Sequence, residues 1–262
     1  MTKIRDIYED LQRLAPEYMA EDWDHVGLLC GHFDRDVKRV LVALDPALPV
    51  CREAAEKGCQ LIVTHHPAIW NLKAVNDGNG EGKRLLYMIE HGIAALNAHT
   101  NLDKAPGGVN DCLAELLGLR NVTVIDPEGK DGEGRPWGLL RGGETDPMSP
   151  AELAQKVKKA LKCDGLRYTE GSHEIRRVAV GGGACSEFTS RVAELGYDAF
   201  VTADCKYHGF ADAKAMGFTL VDAGHFQTEN PVCTCLAERL RKNFPDLEVF
   251  LSEVHEDSIK FA

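Results

Sequence analysis

The sequence predicts an α/β protein made of two similar α/β lobes related by an internal repeat, with a metal site in the cleft between them. Three observations predict it. Short apolar runs of strand length alternate with helical stretches, one plan of strand, helix, glycine and strand occurs twice, and histidines and carboxylates gather where strands end.

The first copy of the plan opens with the apolar run Arg39-Val40-Leu41-Val42-Ala43-Leu44-Asp45, which reads as a buried strand. A helical stretch over 50–57 follows, then the stop Gly58 and a second strand over 60–64. Shifted by 138 residues, the plan recurs without a gap: Arg177-Val178-Ala179-Val180, the glycines 181–183, a helix through Ala193-Glu194-Leu195, the stop Gly196 and the strand Ala199-Phe200-Val201-Thr202. Arg39 and Arg177, Val42 and Val180, Glu56 and Glu194, Gly58 and Gly196, Val63 and Val201, and Thr64 and Thr202 are identical across the shift. Strand, helix, glycine and strand is the βαβ unit of parallel sheets. The element after it repeats at a slightly different offset. A strand through Ile93-Ala94-Ala95-Leu96 leads to His99-Thr100-Asn101-Leu102-Asp103, and one through Phe218-Thr219-Leu220-Val221 leads to His225-Phe226-Gln227-Thr228-Glu229. Each ends in His-x-x-x-carboxylate before a predicted helix. βαβ units resemble one another generically, but gap-free identity at non-apolar positions favours a common origin. The Gly-, Pro- and acid-rich stretch 126–150 reads as the boundary, giving a first lobe over 1–125 and a second over 126–220.

Ligands of open parallel sheets sit beyond the carboxyl ends of the strands, and there the chain places its unusual residues. Thr64-His65-His66-Pro67 ends one strand, and Pro67 forbids its simple continuation. Asp103 ends the next, and His225 with Glu229 ends the counterpart in the second half. His65, His66, Asp103, His225 and Glu229 thus form an N/O donor set for a pair of divalent ions: Zn, Fe, Mn, Co or Ni rather than Ca or Mg. Two like-charged ions need a bridge, and either acid can supply it. A lone strand-end histidine is usually a hydrogen-bonded polar residue, and an acid at a helix start is usually a cap. Three such ends in one chain outweigh that reading.

The remaining candidates carry less. His99 is an acid–base or ligand-orienting candidate. Asp204 and His208, with Lys206 between them, follow Thr202 where the first half has its histidine pair, and are candidates for substrate contacts. The glycines 181–183 suit either a phosphate cradle or a tight turn. Trp23-Asp24-His25-Val26-Gly27 reads as a packing corner. No nucleophile elbow, Walker loop or dinucleotide fingerprint is present.

Composition narrows the partners. The 262 residues carry a formal charge of −11, which disfavours loose nucleic-acid binding. The N-terminus has no apolar signal core and no run approaches the ~18 apolar residues of a membrane span. The expectation is a cytoplasmic protein. Nine cysteines, scattered without a C-x-x-C pair, read as buried reduced thiols.

The chain resembles the dinuclear-metal-centre proteins of the NGG-one-interacting-factor-three family, whose members carry the name GTP cyclohydrolase I type 2 homolog. The matching segments are Asp22-Trp23-Asp24, Val26-Gly27-Leu28, Thr64-His65-His66-Pro67, His99-Thr100-Asn101-Leu102-Asp103, Pro106-Gly107-Gly108-Val109-Asn110-Asp111, Asp198-Ala199-Phe200-Val201-Thr202, and Asp222-Ala223-Gly224-His225 with Thr228-Glu229. The resemblance implies the same five metal ligands, with Glu229 as the bridge. It also implies a C-terminal segment, 221–262, returning to the first lobe, and a toroidal homo-hexamer with sites facing its interior. His25 and the segment Asp204-Cys205-Lys206-Tyr207-His208 depart from the family's usual pattern, which bears on substrate choice rather than on metal binding. The N/O set at strand ends points to a metal-dependent hydrolase of a phosphorylated or nucleotide-like small molecule. The alternative is a non-catalytic metal-handling or regulatory protein.

Overall fold

The computed structural model describes all 262 residues and is a mixed α/β fold with two compact units. Unit 1 comprises 1–105 and 232–256, and unit 2 comprises 106–231 and 257–262.

Unit 1 begins with α1 (Ile4–Leu14), which buries Ile4, Ile7 and Leu11 at helical spacing. Then come β1 (Gly27–Cys30), β2 (Arg39–Ala43), α2 (Leu48–Glu56), β3 (Leu61–Thr64), α3 (Gly80–Glu90), β4 (Ala94–Asn97) and the one-turn helix α4 (Thr100–Lys104). Residues of β3 and β4 are buried throughout, and of β2 all but Arg39. Continuous apolar runs of this kind belong to parallel strands covered on both faces. Strands β2, β3 and β4 do pair in parallel, with β1 antiparallel on the outer edge of β4. Gly58 and Gly92 follow α2 and α3 at positive φ, as helix-stop glycines do. Parallel pairing brings the carboxyl ends of β2, β3 and β4 to one edge, where Asp45, His65, His66 and His99 follow them.

Unit 2 opens with α5 (Val109–Leu116) and β5 (Arg120–Ile125), then the hairpin β6 (Gly129–Lys130) and β7 (Pro136–Trp137) and the long strand β8 (Leu140–Met148). Helix α6 (Pro150–Ala160) starts on a capping box, Ser149 with Glu152, and has proline in its first turn. Next are β9 (Arg167–Tyr168), β10 (Ile175–Val180), α7 (Thr189–Glu194), β11 (Ala199–Thr202), α8 (Tyr207–Ala215), β12 (Thr219–Asp222) and the one-turn helix α9 (His225–Glu229). The sheet order is β5-β8-β10-β11-β12-β9, with β10, β11 and β12 parallel and the rest antiparallel. The chain then returns to unit 1 through α10 (Pro231–Asn243) and β13 (Glu248–Leu251), which pairs in parallel with β2. Residues 257–262 finish in unit 2.

The boundary lies elsewhere than the expected 125/126. Helix α5 packs on β8 and β10, and its Leu113 and Ala114 enter the apolar cluster of unit 2 with Leu153, Val178 and Val201. Stretch 126–150 is no linker: it holds the hairpin and β8, a strand paired on both sides. Its glycines answer to close packing. A Cβ on Gly142 would collide with the Tyr197 ring, and one on Gly143 would lie 2.9 Å from the Leu119 Cβ. Asp103 and Glu229 were expected at strand ends; both sit one step further, on α4 and α9.

The cysteines form no disulfide, and burial pushes the Cys51 and Cys205 thiols up to about 12. No helix is long and apolar enough to cross a membrane. Gly142→Val is expected to lower unfolding free energy by about 1–3 kcal/mol through overpacking. Gly132→Ala, where a Cβ would meet nothing within 4 Å, serves as the control, with urea midpoints as the readout.

Candidate metal centre

In unit 1 the end of β3 delivers two imidazoles. The His66 amide donates to the Leu44 carbonyl (2.9 Å) and the Thr64 hydroxyl donates to the His66 carbonyl (2.7 Å), which holds the chain as it leaves the sheet. The His65 ring is completely buried, with Nδ1 2.9 Å from the Ala98 carbonyl. A carbonyl only accepts, so Nδ1 carries the proton and Nε2 keeps the lone pair, 3.5 Å from Asp103 Oδ1. His66 Nδ1 lies 2.7 Å from Asp45 Oδ1, and His255 Nε2 approaches the other oxygen of Asp45 at 3.7 Å. Burial pulls the Asp45 carboxyl up, but hydrogen bonds from His255 and His66 outweigh it and hold it well below the usual range.

His99 is the third imidazole. It sits at the N-terminal boundary of α4, with Nδ1 2.8 Å from Asp24 Oδ1, while Asp24 Oδ2 accepts from the Thr100 amide (3.0 Å) and hydroxyl. The Asp24 side chain is fully buried. Burial pulls its carboxyl up, the bonds from His99 and Thr100 pull it down, and the net result is about 2. The ligating atoms of His65, His66 and His99 lie within 4.8 Å of one another, so the three could hold a metal ion.

In unit 2, Gly224 at φ 91° turns the chain from β12 into α9. His225 and Glu229 are four residues apart, on one face of that turn, with His225 Nε2 2.9 Å from Glu229 Oε2. His225 Nδ1 lies 2.8 Å from Asp204 Oδ2, and Asp204 itself has φ 53°. The glycines 181–183 run flush against this helix, and a Cβ on Gly183 would collide with the Glu229 carboxylate. They are no phosphate cradle, because all three amides donate within the protein: Gly181 to the Val201 carbonyl (3.0 Å), Gly182 to Asn110 Oδ1 (2.7 Å) and Gly183 to Thr228 Oγ1 (3.0 Å).

All four imidazoles therefore share one arrangement, with Nδ1 on an oxygen acceptor. This is how proteins orient metal-ligating histidines, and it raises their basicity. Neutral imidazole nitrogens and buried carboxylates suit divalent transition ions, and these His, Asp and Glu groups could hold a metal.

The model of the DUF34/NIF3 (NGG1p interacting factor 3) family matches residues 2–258. The chain belongs to this family. The protein named GTP cyclohydrolase 1 type 2 homolog of Clostridium perfringens is 32% identical over 263 residues, covering 99% of each chain. The crystal structure of a Bacillus cereus protein related to NIF3 superposes with a TM-score of 0.93 at 25% identity, over 100% of this chain and 99% of that one. A Staphylococcus aureus protein reaches a TM-score of 0.91 at 29% identity, over 100% and 99%.

Of the expected substrate contacts, Asp204 instead anchors His225, while His208 lies exposed on α8 with its ring against Tyr207. Asp24 and Asp45, read from sequence as a packing-corner residue and a strand end, anchor His99 and His66. His255 was not singled out at all. A carboxylate that serves a histidine dozens of residues away leaves no local pattern to read.

The depressed Asp24 carboxyl makes a pH prediction. A carboxyl held below its usual 3.8 contributes stability that is present above that pH and lost as pH falls through about 2. Between pH 4 and 2 the parent should lose about 2 kcal/mol more than Asp24→Asn, measured as the difference of their denaturation midpoints across that range.

Proposed function

We propose that His65, His66, Asp103, His225 and Glu229 hold two divalent ions per chain, in the cleft between two related lobes, and that the protein hydrolyses a phosphorylated or nucleotide-like small molecule. One observation carries this reading: His65, His66 and His225 each have Nδ1 tied to an oxygen acceptor, the arrangement that orients metal-ligating imidazoles. The two carboxylates of the set, Asp103 and Glu229, are buried. The N/O donor set favours Zn, Fe, Mn, Co or Ni. The cyclohydrolase name of the relatives is in keeping with a nucleotide substrate, and family membership supports Glu229 as the bridging ligand and a toroidal, cytoplasmic homo-hexamer.

Divalent ions held by these residues would supply the usual chemistry of such sites, lowering the pKa of water toward about 7 and polarising the scissile group. The chain's own residues supply the rest. Asp24 holds the Nδ1–H of His99, so His99 Nε2 is the acceptor for a proton from the attacking water and later its donor to the leaving group. The same carboxylate stabilises the imidazolium formed in between. Asp45 and Asp204 orient His66 and His225.

Elemental analysis of protein purified without chelator should find about two ions per chain, with a clear loss in His65→Ala. A parent that is empty and takes up no Zn, Mn or Fe(II) returns these histidines to structural roles and sinks the proposal. His99→Gln should keep its ions yet lose ~10²–10⁴-fold in phosphoester turnover. Retained ions with no turnover by the parent on any phosphoester or nucleotide would instead mark a metal-handling or regulatory protein.

A further inference from the structure

Three tryptophans occur in the chain, and two are held together in unit 1. Trp23 and Trp70 are 60% and 39% exposed, yet their rings lie parallel within 15° at a centroid separation of 6.4 Å. Each comes from a loop beside the imidazole cluster. Trp23 precedes Asp24, the anchor of His99, and Trp70 follows His65-His66-Pro67 by three residues. Neither loop dangles. Asp24 ties its own loop to His99 and Thr100. The Trp70 amide donates to the Glu81 carboxylate, and the Arg84 guanidinium donates to the Ala68 carbonyl at 3.0 and 3.2 Å.

His99 joins the tryptophans to the other imidazoles. Its ring meets Trp70 edge-on at 5.1 Å and Trp23 at 6.1 Å, and lies 5.1 Å from the ring of His65 and 5.5 Å from that of His66. Exposing two indoles is costly, since each has a large apolar area to bury. A separation of 6.4 Å is near the far end of the contact range of aromatic pairs, ~4.5–7 Å. The pair, parallel and partly exposed, therefore has indole face to offer a planar ring on its outer surface.

We propose that Trp23 and Trp70 form a stacking platform for the base of a purine nucleotide, one imidazole's width from the histidines that would ligate metal. The inference rests on the nucleotide-like substrate proposed above and deepens it by assigning where the base is held. The base is bicyclic because the platform is: two indoles present their widest faces together, and stacking energy grows with the overlapped area.

Binding separates this inference from the hydrolase reading. AMP and ribose 5-phosphate share sugar and phosphate and differ only in the base. Each is titrated by calorimetry into full-length chain, with and without chelator, in the parent, Trp23→Ala, Trp70→Ala and Trp70→Phe. The parent should bind AMP more tightly than ribose 5-phosphate, with quenching of indole fluorescence. Either alanine variant should weaken AMP by about 5- to 100-fold, the range for one stacked base, and leave ribose 5-phosphate unchanged. Trp70→Phe should keep part of the AMP affinity, which a variant that merely misfolds would not. Equal binding of the two probes by the parent, no AMP binding, or AMP binding untouched by the alanine variants overturns the platform. Indole fluorescence that responds to protein concentration and not to AMP also overturns it, assigning the pair to contact with a second copy. Base-dependent binding without turnover of any phosphoester keeps the platform and removes the hydrolase. Turnover of ribose 5-phosphate with no preference for the base does the reverse.

Discussion

Each imidazole of the candidate centre gives its Nδ1–H to an oxygen from another stretch of chain, and the chemistry open to the site depends on that bond. It selects the tautomer, aims Nε2 and holds the ring against rotation. The acceptors are a carbonyl for His65 and carboxylates for His66, His99 and His225.

The sheets make these bonds possible. In unit 1, parallel pairing of β2, β3 and β4 ends three strands at one edge, so Asp45, His65 and His66, and His99 emerge as neighbours. Asp24 reaches the same edge because β1 pairs antiparallel to β4 and starts where β4 ends, with Gly27 opposite Asn97. In unit 2 the parallel strands β11 and β12 end together, which brings Asp204 to His225. The one-turn helices α4 and α9 then give each unit a carboxylate four residues beyond a histidine, a spacing that returns both side chains to one face.

Glycine shows how the same residue type serves opposite ends. Gly58 and Gly196 end helices at positive φ, the role that their place in the repeat announces. Gly142 and Gly143 lie inside a strand because neighbours leave no room for a side chain, and Gly183 is small because the Glu229 carboxylate lies against it. A run rich in glycine and proline thus marks either a linker or a tightly packed strand, and only the packing tells which.

The α/β class and the buried parallel strands were legible in the sequence, because each rests on local pattern: apolar runs of strand length and glycine stops. The five proposed ligands were picked by the same means, from histidines and acids where strands end. The split at Ala105, the carboxylate partners of the imidazoles and the pairing of Trp23 with Trp70 were decided by tertiary structure alone. They join residues separated by tens to hundreds of positions, and no periodicity or motif links such residues until strand pairing and packing bring their side chains within hydrogen-bond or ring-contact distance.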